Sequence, residues 1–208
     1  MRSAQKPAAQ PMLSRSTRRQ RAHLPAAAFQ KDYPDIGYEL LLGDYEEVER
    51  WLEEGRIECG FLRLPTRPEF ETIFLKQDEY KVVLPKGHPL TECAVIEPHA
   101  LDGQPFLLLE HGGRTEVSDL LTQFGIHPDI RFTTWEDYAI LSMAEKGLGI
   151  GILPQMILQR IPYEVEMRPL SAPYYRRIGL AMKNRVRLSP AAKKFLEYLP
   201  FREAGADR

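Results

Sequence analysis

Hydrophobic positions along the chain alternate between a helical and a strand period. Tyr45, Val48, Trp51 and Leu52 recur at helical spacing with acids on the opposite face, which predicts an amphipathic helix, and Gly55 stands where a left-handed C-terminal cap belongs. Leu24, Ala27, Ala28 and Phe29 predict an earlier helix. Tyr33-Pro34-Asp35 ends it, because the residue before proline is pushed out of the α region. Strands are expected at Tyr38–Leu42 and Arg56–Leu62. After the loop LPTRPEF, two short strands are expected at Thr72–Leu75 and Tyr80–Leu84, broken by the polar stretch Lys76–Glu79, and PKGHP at 85–89 reads as a turn.

The second half repeats this grammar. Phe106–Leu109 reads as a strand, Glu110–Arg114 as a polar glycine loop, and Glu116–Phe124 as a helix with Gly125 as its cap. Then follow a strand Ile130–Thr133, a helix Glu136–Lys146, a strand Ile150–Leu153, a short helix Met156–Gln159 and strands Glu164–Arg168 and Arg177–Lys183. Ser189-Pro190 opens a C-terminal helix with serine as N-cap and proline at the first helical position. Strands alternating with helices predict an α/β protein with largely parallel sheets.

The run SMAEKGLGIGILP at 142–154 has the glycines of a phosphate loop in the wrong order. A dinucleotide loop runs strand, glycine turn, helix, so that phosphate meets the N–H groups at a helix start; here the glycines follow the helix. Gly147 is expected to cap it, and Gly149 and Gly151, on one strand face, to admit either a packed helix or a ligand. The other end of this helix is the better ligand candidate. Thr133-Thr134-Trp135-Glu136-Asp137 offers two capping boxes, Thr133 with Glu136 and Thr134 with Asp137, directly after a strand end, where ligands bind in open α/β sheets. Glu110-His111-Gly112-Gly113-Arg114-Thr115 is a second turn of this kind, either a small anion cradle or a solvated loop. Arg63 in FLRLP follows a buried strand and is either a third contact or a surface arginine.

Composition narrows the function classes. A chain of 208 residues, 43% hydrophobic and 27% charged, has room for one large or two small domains, and a net charge of −1 argues against a generally nucleic-acid-coating surface. The charge is uneven. Seven of the 28 basic residues (Arg2, Lys6, Arg15, Arg18, Arg19, Arg21 and Lys31) fall in residues 1–31, which hold no acid. This leader either contacts nucleic acid or is a solvated tail. Cys59 and Cys93 have no ligand partners at metal spacing, so reduced thiols in a cytoplasmic protein are expected, with no metal and no cofactor. No apolar run suits a membrane span or an export signal. No nucleophile elbow or metal-binding histidine pair is present, and no catalysis is expected.

These pieces, in this order, resemble the effector-binding domain of LysR-type transcriptional regulators. The resemblance is carried by LPAAAFQKDYPDIGYELLLGD (24–44), VERWLEEGRIECGFL (48–62), KVVLPKGHPL (81–90), ILSMAEKGLGIGILP (140–154) and RIGLAMKNRVRLSPAAKKFLEYL (177–199). It implies a type 2 periplasmic-binding-protein-like α/β fold of two Rossmann-like subdomains joined by two crossover strands. A leader 1–10 would precede subdomain I, residues 11–86 with 171–208, and subdomain II, residues 87–170, with crossovers near Val82–Pro85 and Leu170–Leu180. The resemblance implies a small effector in the inter-subdomain cleft, contacted by Thr17, Arg18, Arg63, Leu64, Glu110, His111, Gly112, Gly113, Arg114, Thr133, Thr134 and Trp135, and the anion cradle read above makes an anionic effector the expectation. It also implies a homodimer or homotetramer that reaches DNA through an N-terminal helix-turn-helix with no counterpart in this sequence. A free-standing solute-binding protein of the same fold, or more remotely a hydrolase, are the alternatives.

Overall fold

The computed structural model describes residues 11–14, 23–37, 39, 41–110 and 115–199. In chain order its elements are β1 (Pro11–Ser14), α1 (His23–Asp32), β2 (Leu41–Gly43), α2 (Tyr45–Glu53), β3 (Cys59–Leu64), β4 (Glu71–Pro85), β5 (Pro105–Leu109) and α3 (Glu116–Phe124). There follow β6 (Asp129–Thr134), α4 (Asp137–Glu145), β7 (Ile150–Pro154), β8 (Val165–Pro169), β9 (Tyr175–Met182) and α5 (Pro190–Glu197). The chain divides into two compact units, Met1–Gln77 with Arg177–Arg208, and Asp78–Arg176. The boundaries fall inside β4 and β9, the first of them upstream of Val82–Pro85.

In the first unit the strand order is β2-β1-β3-β9-β4, with β1 parallel to β2 and β3, and β9 antiparallel to β3. Alternation along β3 divides the core. Cys59 and Phe61 pack with Phe29, Leu75, Leu180 and Phe195, whereas Leu62 joins Val48, Trp51, Leu52 and Phe70. Burial pushes the Cys59 thiol up to about 12, so it packs as an inert apolar group. The expected helix over Tyr45–Leu52 is α2, started by a capping box in which Asp44 Oδ1 accepts the Glu47 N–H at 2.8 Å and Glu47 Oε2 accepts the Asp44 N–H at 3.0 Å. β3 starts at Cys59 rather than Arg56 because the N–H groups of Arg56 and Ile57 both turn back to the Trp51 carbonyl. As expected, Ser189 caps α5, its Oγ accepting the Ala192 N–H at 3.1 Å.

In the second unit the order is β8-β4-β7-β5-β6. β5 is parallel to β6 and β7, and β4 is antiparallel to β7 and β8. At β5 and β7 both faces of the sheet are covered. Phe106 and Leu108 pack with Val117, Leu120 and Leu121 of α3, and Leu107 packs with Ile140, Leu141 and Ala144 of α4. Each large apolar side chain so buried contributes roughly 1.5–3 kcal/mol. Strands covered on both sides explain the nearly unbroken apolar runs PFLLL and IGILP.

Three expectations need correction here. The two strands around Lys76–Glu79 are one 15-residue strand, β4, because the polar Asp78 is buried and fully bonded instead of breaking the ladder. Met156–Gln159 forms turns and no helix. The capping boxes at Thr133 and Thr134 are absent: both threonines belong to β6, opposite Leu108 and Leu109, and Glu136 is the residue preceding α4.

Of the glycines of 147–151, the first stops a helix and the other two serve packing. Gly147 takes φ 74° just past α4 and donates its N–H to the Ala144 carbonyl at 2.9 Å. A methyl at Gly149 would lie 2.7 Å from the Pro105 carbonyl oxygen, and one at Gly151 2.7 Å from Ile140 Cγ2. No helix among the described residues is long and apolar enough to cross a membrane.

Candidate functional site

The parallel alignment of β5 and β6 carries two strand-to-helix turns to the same edge of the second unit's sheet. Leu109 stands opposite Thr134, and the Glu110 N–H extends the ladder by donating to the Thr134 carbonyl at 2.8 Å. The turn from β5 to α3 is tied at both ends. Thr115, the residue preceding α3, uses its hydroxyl to reach back to the Leu109 carbonyl at 2.9 Å, and Ser118 Oγ donates to Glu110 Oε2 at 2.8 Å. Because Thr115 is turned toward the strand, its side chain makes no cap bond to α3.

The turn from β6 to α4 is shorter. Thr134 Oγ1 accepts the Glu136 N–H at 3.2 Å, a local turn in place of the expected capping box. Trp135 projects from it, 44% exposed. Asp137, half-buried in the first turn of α4, has its pKa pushed up to about 6, chiefly by burial, with Glu136 and Glu116 adding repulsion and Arg176 pulling the other way.

Arg176 belongs to a buried pair beside these turns. Its Nε and Nη2 donate to Asp78 Oδ2 at 3.0 and 2.9 Å, both residues being at most 3% exposed. Its guanidinium lies 5.9 Å from the Tyr80 ring centroid. The other carboxylate oxygen, Asp78 Oδ1, accepts the Met156 N–H at 2.9 Å, and the Gln155 N–H donates to the Glu79 carbonyl at 2.7 Å. One carboxylate thus fixes the segment leaving β7 as well as β9, and its ion pair sets the charge facing Asp137.

Of the expected effector contacts, Glu110, Thr133, Thr134 and Trp135 come together at this edge of the second unit. Arg63 and Leu64 lie in the first unit at the end of β3, opposite Ile178 and Arg177. Leu64, half-buried, lies over Gly179, where a methyl would be 2.5 Å from Leu64 Cδ1. Thr17, Arg18, His111, Gly112, Gly113 and Arg114 lie outside the described residues, as does most of the basic leader. No periodic signal singles out Asp78, Ser118, Asp137 or Arg176. Asp78 stands within the polar stretch Lys76–Glu79, so nothing in the local sequence points to the buried pair.

Comparison with known proteins fits this architecture. Residues 20–201 match the family described as LysR substrate binding domain. An uncharacterized HTH-type transcriptional regulator, YvbU of Bacillus subtilis (strain 168), is 35% identical over 81% of this chain and 58% of its own length. The probable HTH-type transcriptional regulator LrrA of Synechococcus elongatus is 31% identical over 83% of this chain and 59% of its own. The chain therefore spans about three fifths of the length of the curated relatives it matches. Among solved structures, the regulatory domain of CcmR from Synechocystis PCC6803 in complex with 2-PG superposes with a TM-score of 0.84 at 21% identity, covering 92% of this chain and 95% of that one. The BenM effector binding domain with its effector benzoate gives 0.82 at 20% identity, covering 92% and 90%. At these identities the likeness is one of fold.

Proposed function

The chain belongs to the LysR substrate-binding domain family, and from that premise we propose that it senses a small anionic effector and passes the signal to transcription control. Its fold is the type 2 periplasmic-binding-protein-like α/β fold of two subdomains. The observation that carries the reading is the Glu110–Thr134 ladder bond, which sets two strand-to-helix turns side by side at the C-terminal edge of β5 and β6, where such sheets take ligands. Main-chain N–H groups at the starts of α3 and α4, the threonine hydroxyls and Arg114 are the groups that would hold an anion. Arg63 and Leu64 of the first unit, Thr17, Arg18 and the His111–Gly113 segment complete the proposed contact set. The named relatives are transcription regulators, and binding without catalysis is the proposed activity.

In this reading the chain acts in the cytoplasm as a homodimer or homotetramer and reaches DNA through a helix-turn-helix supplied outside residues 20–201. Effector binding shifts the population of arrangements open to that assembly. A thermal-shift screen of small carboxylates and phosphates, with benzoate and 2-PG included as probes, tests it. A hit should be weakened by Thr134→Ala and by Arg114→Ala. A hit that binds both variants as it binds the parent would move the site elsewhere.

A further inference from the structure

Val186 is the most exposed large hydrophobic side chain among the described residues, at 79%, and the next reaches only 49%. Exposure of this kind usually goes with a loose loop, yet this loop is fastened. Asn184 Oδ1 accepts the N–H groups of Val186 and Arg187 at 2.9 and 3.1 Å, and Lys193 Nζ donates to the Val186 carbonyl at 2.7 Å. The Arg185 N–H reaches Glu71 Oε2 at 3.3 Å, and Leu188, two residues past the apex, is buried in the core of the first unit.

The flanks are cationic. Arg185 and Arg187 are exposed on either side of the apex and form no ion pair among the described residues. Lys183 and Lys193 spend their ammonium groups on carbonyl oxygens, those of Glu53 and Val186, which leaves their charges in place. A merely solvated turn gains nothing by holding an aliphatic apex in water. A fixed apex has already lost the conformational freedom that binding would otherwise remove.

We propose that the loop Lys183–Arg187 is a docking knob for a protein partner whose surface carries an apolar recess of about valine size rimmed by carboxylates. Val186 fills the recess, and Arg185 and Arg187 pair with the rim, where guanidinium forks meet carboxylates in two-bond geometry. The choice of a protein over nucleic acid rests on the apex: a phosphate backbone would satisfy the arginines and offer Val186 no recess. The knob belongs to the first unit and uses none of the residues of the effector turns, so the proposal stands independently of the effector reading.

The test is selection of a random-peptide display library on the full chain at low ionic strength, followed by affinity measurements of the recovered peptides against Val186→Asp, the double variant Arg185→Glu with Arg187→Glu, and Arg131→Glu as a surface control. The expected peptides combine Asp or Glu with bulky apolar residues, lose about tenfold or more in affinity for the first two variants, and bind the control unchanged. Melting temperatures equal to the parent's confirm that the variants fold. Recovery of no peptide, of peptides without acidic enrichment, or of peptides indifferent to both loop variants overturns the proposal. So does random-sequence duplex DNA whose binding falls with the arginine pair and not with Val186→Asp, since that pattern assigns the loop to a phosphate backbone.

Discussion

Arg176 and Asp78 form a buried ion pair, 2.9 Å from Nη2 to Oδ2, and each is the residue on the second unit's side of one of the two chain passages. Removing one member strands the other's charge in a dry site. Arg176→Met should therefore cost about 3–5 kcal/mol. Asp78→Ala should cost at least as much, because the Met156 N–H also loses its acceptor. The double variant Asp78→Leu with Arg176→Met should recover most of the loss. Urea denaturation of the three variants checks this, and a double variant no better than the worse single would show that the Met156 bond, rather than the charge pair, dominates.

Asp137 gives the second unit a pH dependence with a definite sign. Its pKa is raised from 3.8 to about 6, so the folded state holds the proton more tightly than the unfolded chain. Stability from this group is fully present below about pH 4 and is lost as pH rises through about 6. Asp137→Asn should thus be more stable than the parent at pH 7.5, by on the order of 1 kcal/mol after allowing for partial exposure, and should flatten that window. Melting curves across the range provide the measurement.

The same carboxylate should oppose a bound anion. Any small carboxylate held at the β5 and β6 turns is expected to bind more tightly as pH falls through about 6, and Asp137→Asn should remove that trend while preserving affinity at low pH. Calorimetric titration at a series of pH values decides. An affinity flat with pH in the parent would separate the ligand from α4.

Gly151→Ala would drive a methyl against Ile140 Cγ2, whose side chain is fully buried in α4. The expected cost is about 1–3 kcal/mol. Ile140→Leu removes the β-branch and should return part of it in the double variant, as read by denaturant midpoints.

Arg160 takes φ 56°, a left-handed conformation, at an exposed position. Arg160→Gly should relieve that backbone and raise stability by a few tenths to about 1 kcal/mol. A lower melting point would show that its side chain makes up for the strain.

Much of the fold is legible because apolar spacing and caps agree. α3 spans Glu116–Phe124, as its spacing predicts, and Gly125 ends it in the left-handed conformation. What eludes the sequence is tertiary. Lys76–Glu79 reads as a polar break, yet the partner that lets Asp78 stay inside a strand lies 98 residues away. Thr133 and Thr134 carry the local chemistry of a cap, but pairing with Leu108 and Leu109 keeps them in β6. For Gly149 and Gly151, a single chain cannot say whether helix or ligand comes close; Ile140 and Pro105 occupy that space. The two turns that hold Glu110 and Thr134 are visible from helix polarity, whereas Asp137 and Arg176 depend on burial that no local pattern reports.

The second unit is an unbroken stretch of chain, Asp78–Arg176, while the first is assembled from two pieces on either side of it. Its own two ends are clasped to each other by the Asp78–Arg176 pair. That is the geometry of a cassette. A gene encoding residues 78–176 alone begins and ends on partners already in contact, and Gln77 could be spliced to Arg177 through a short linker. Each half could then be expressed, exchanged with a relative's, or rejoined as a circular permutant without laying new strands.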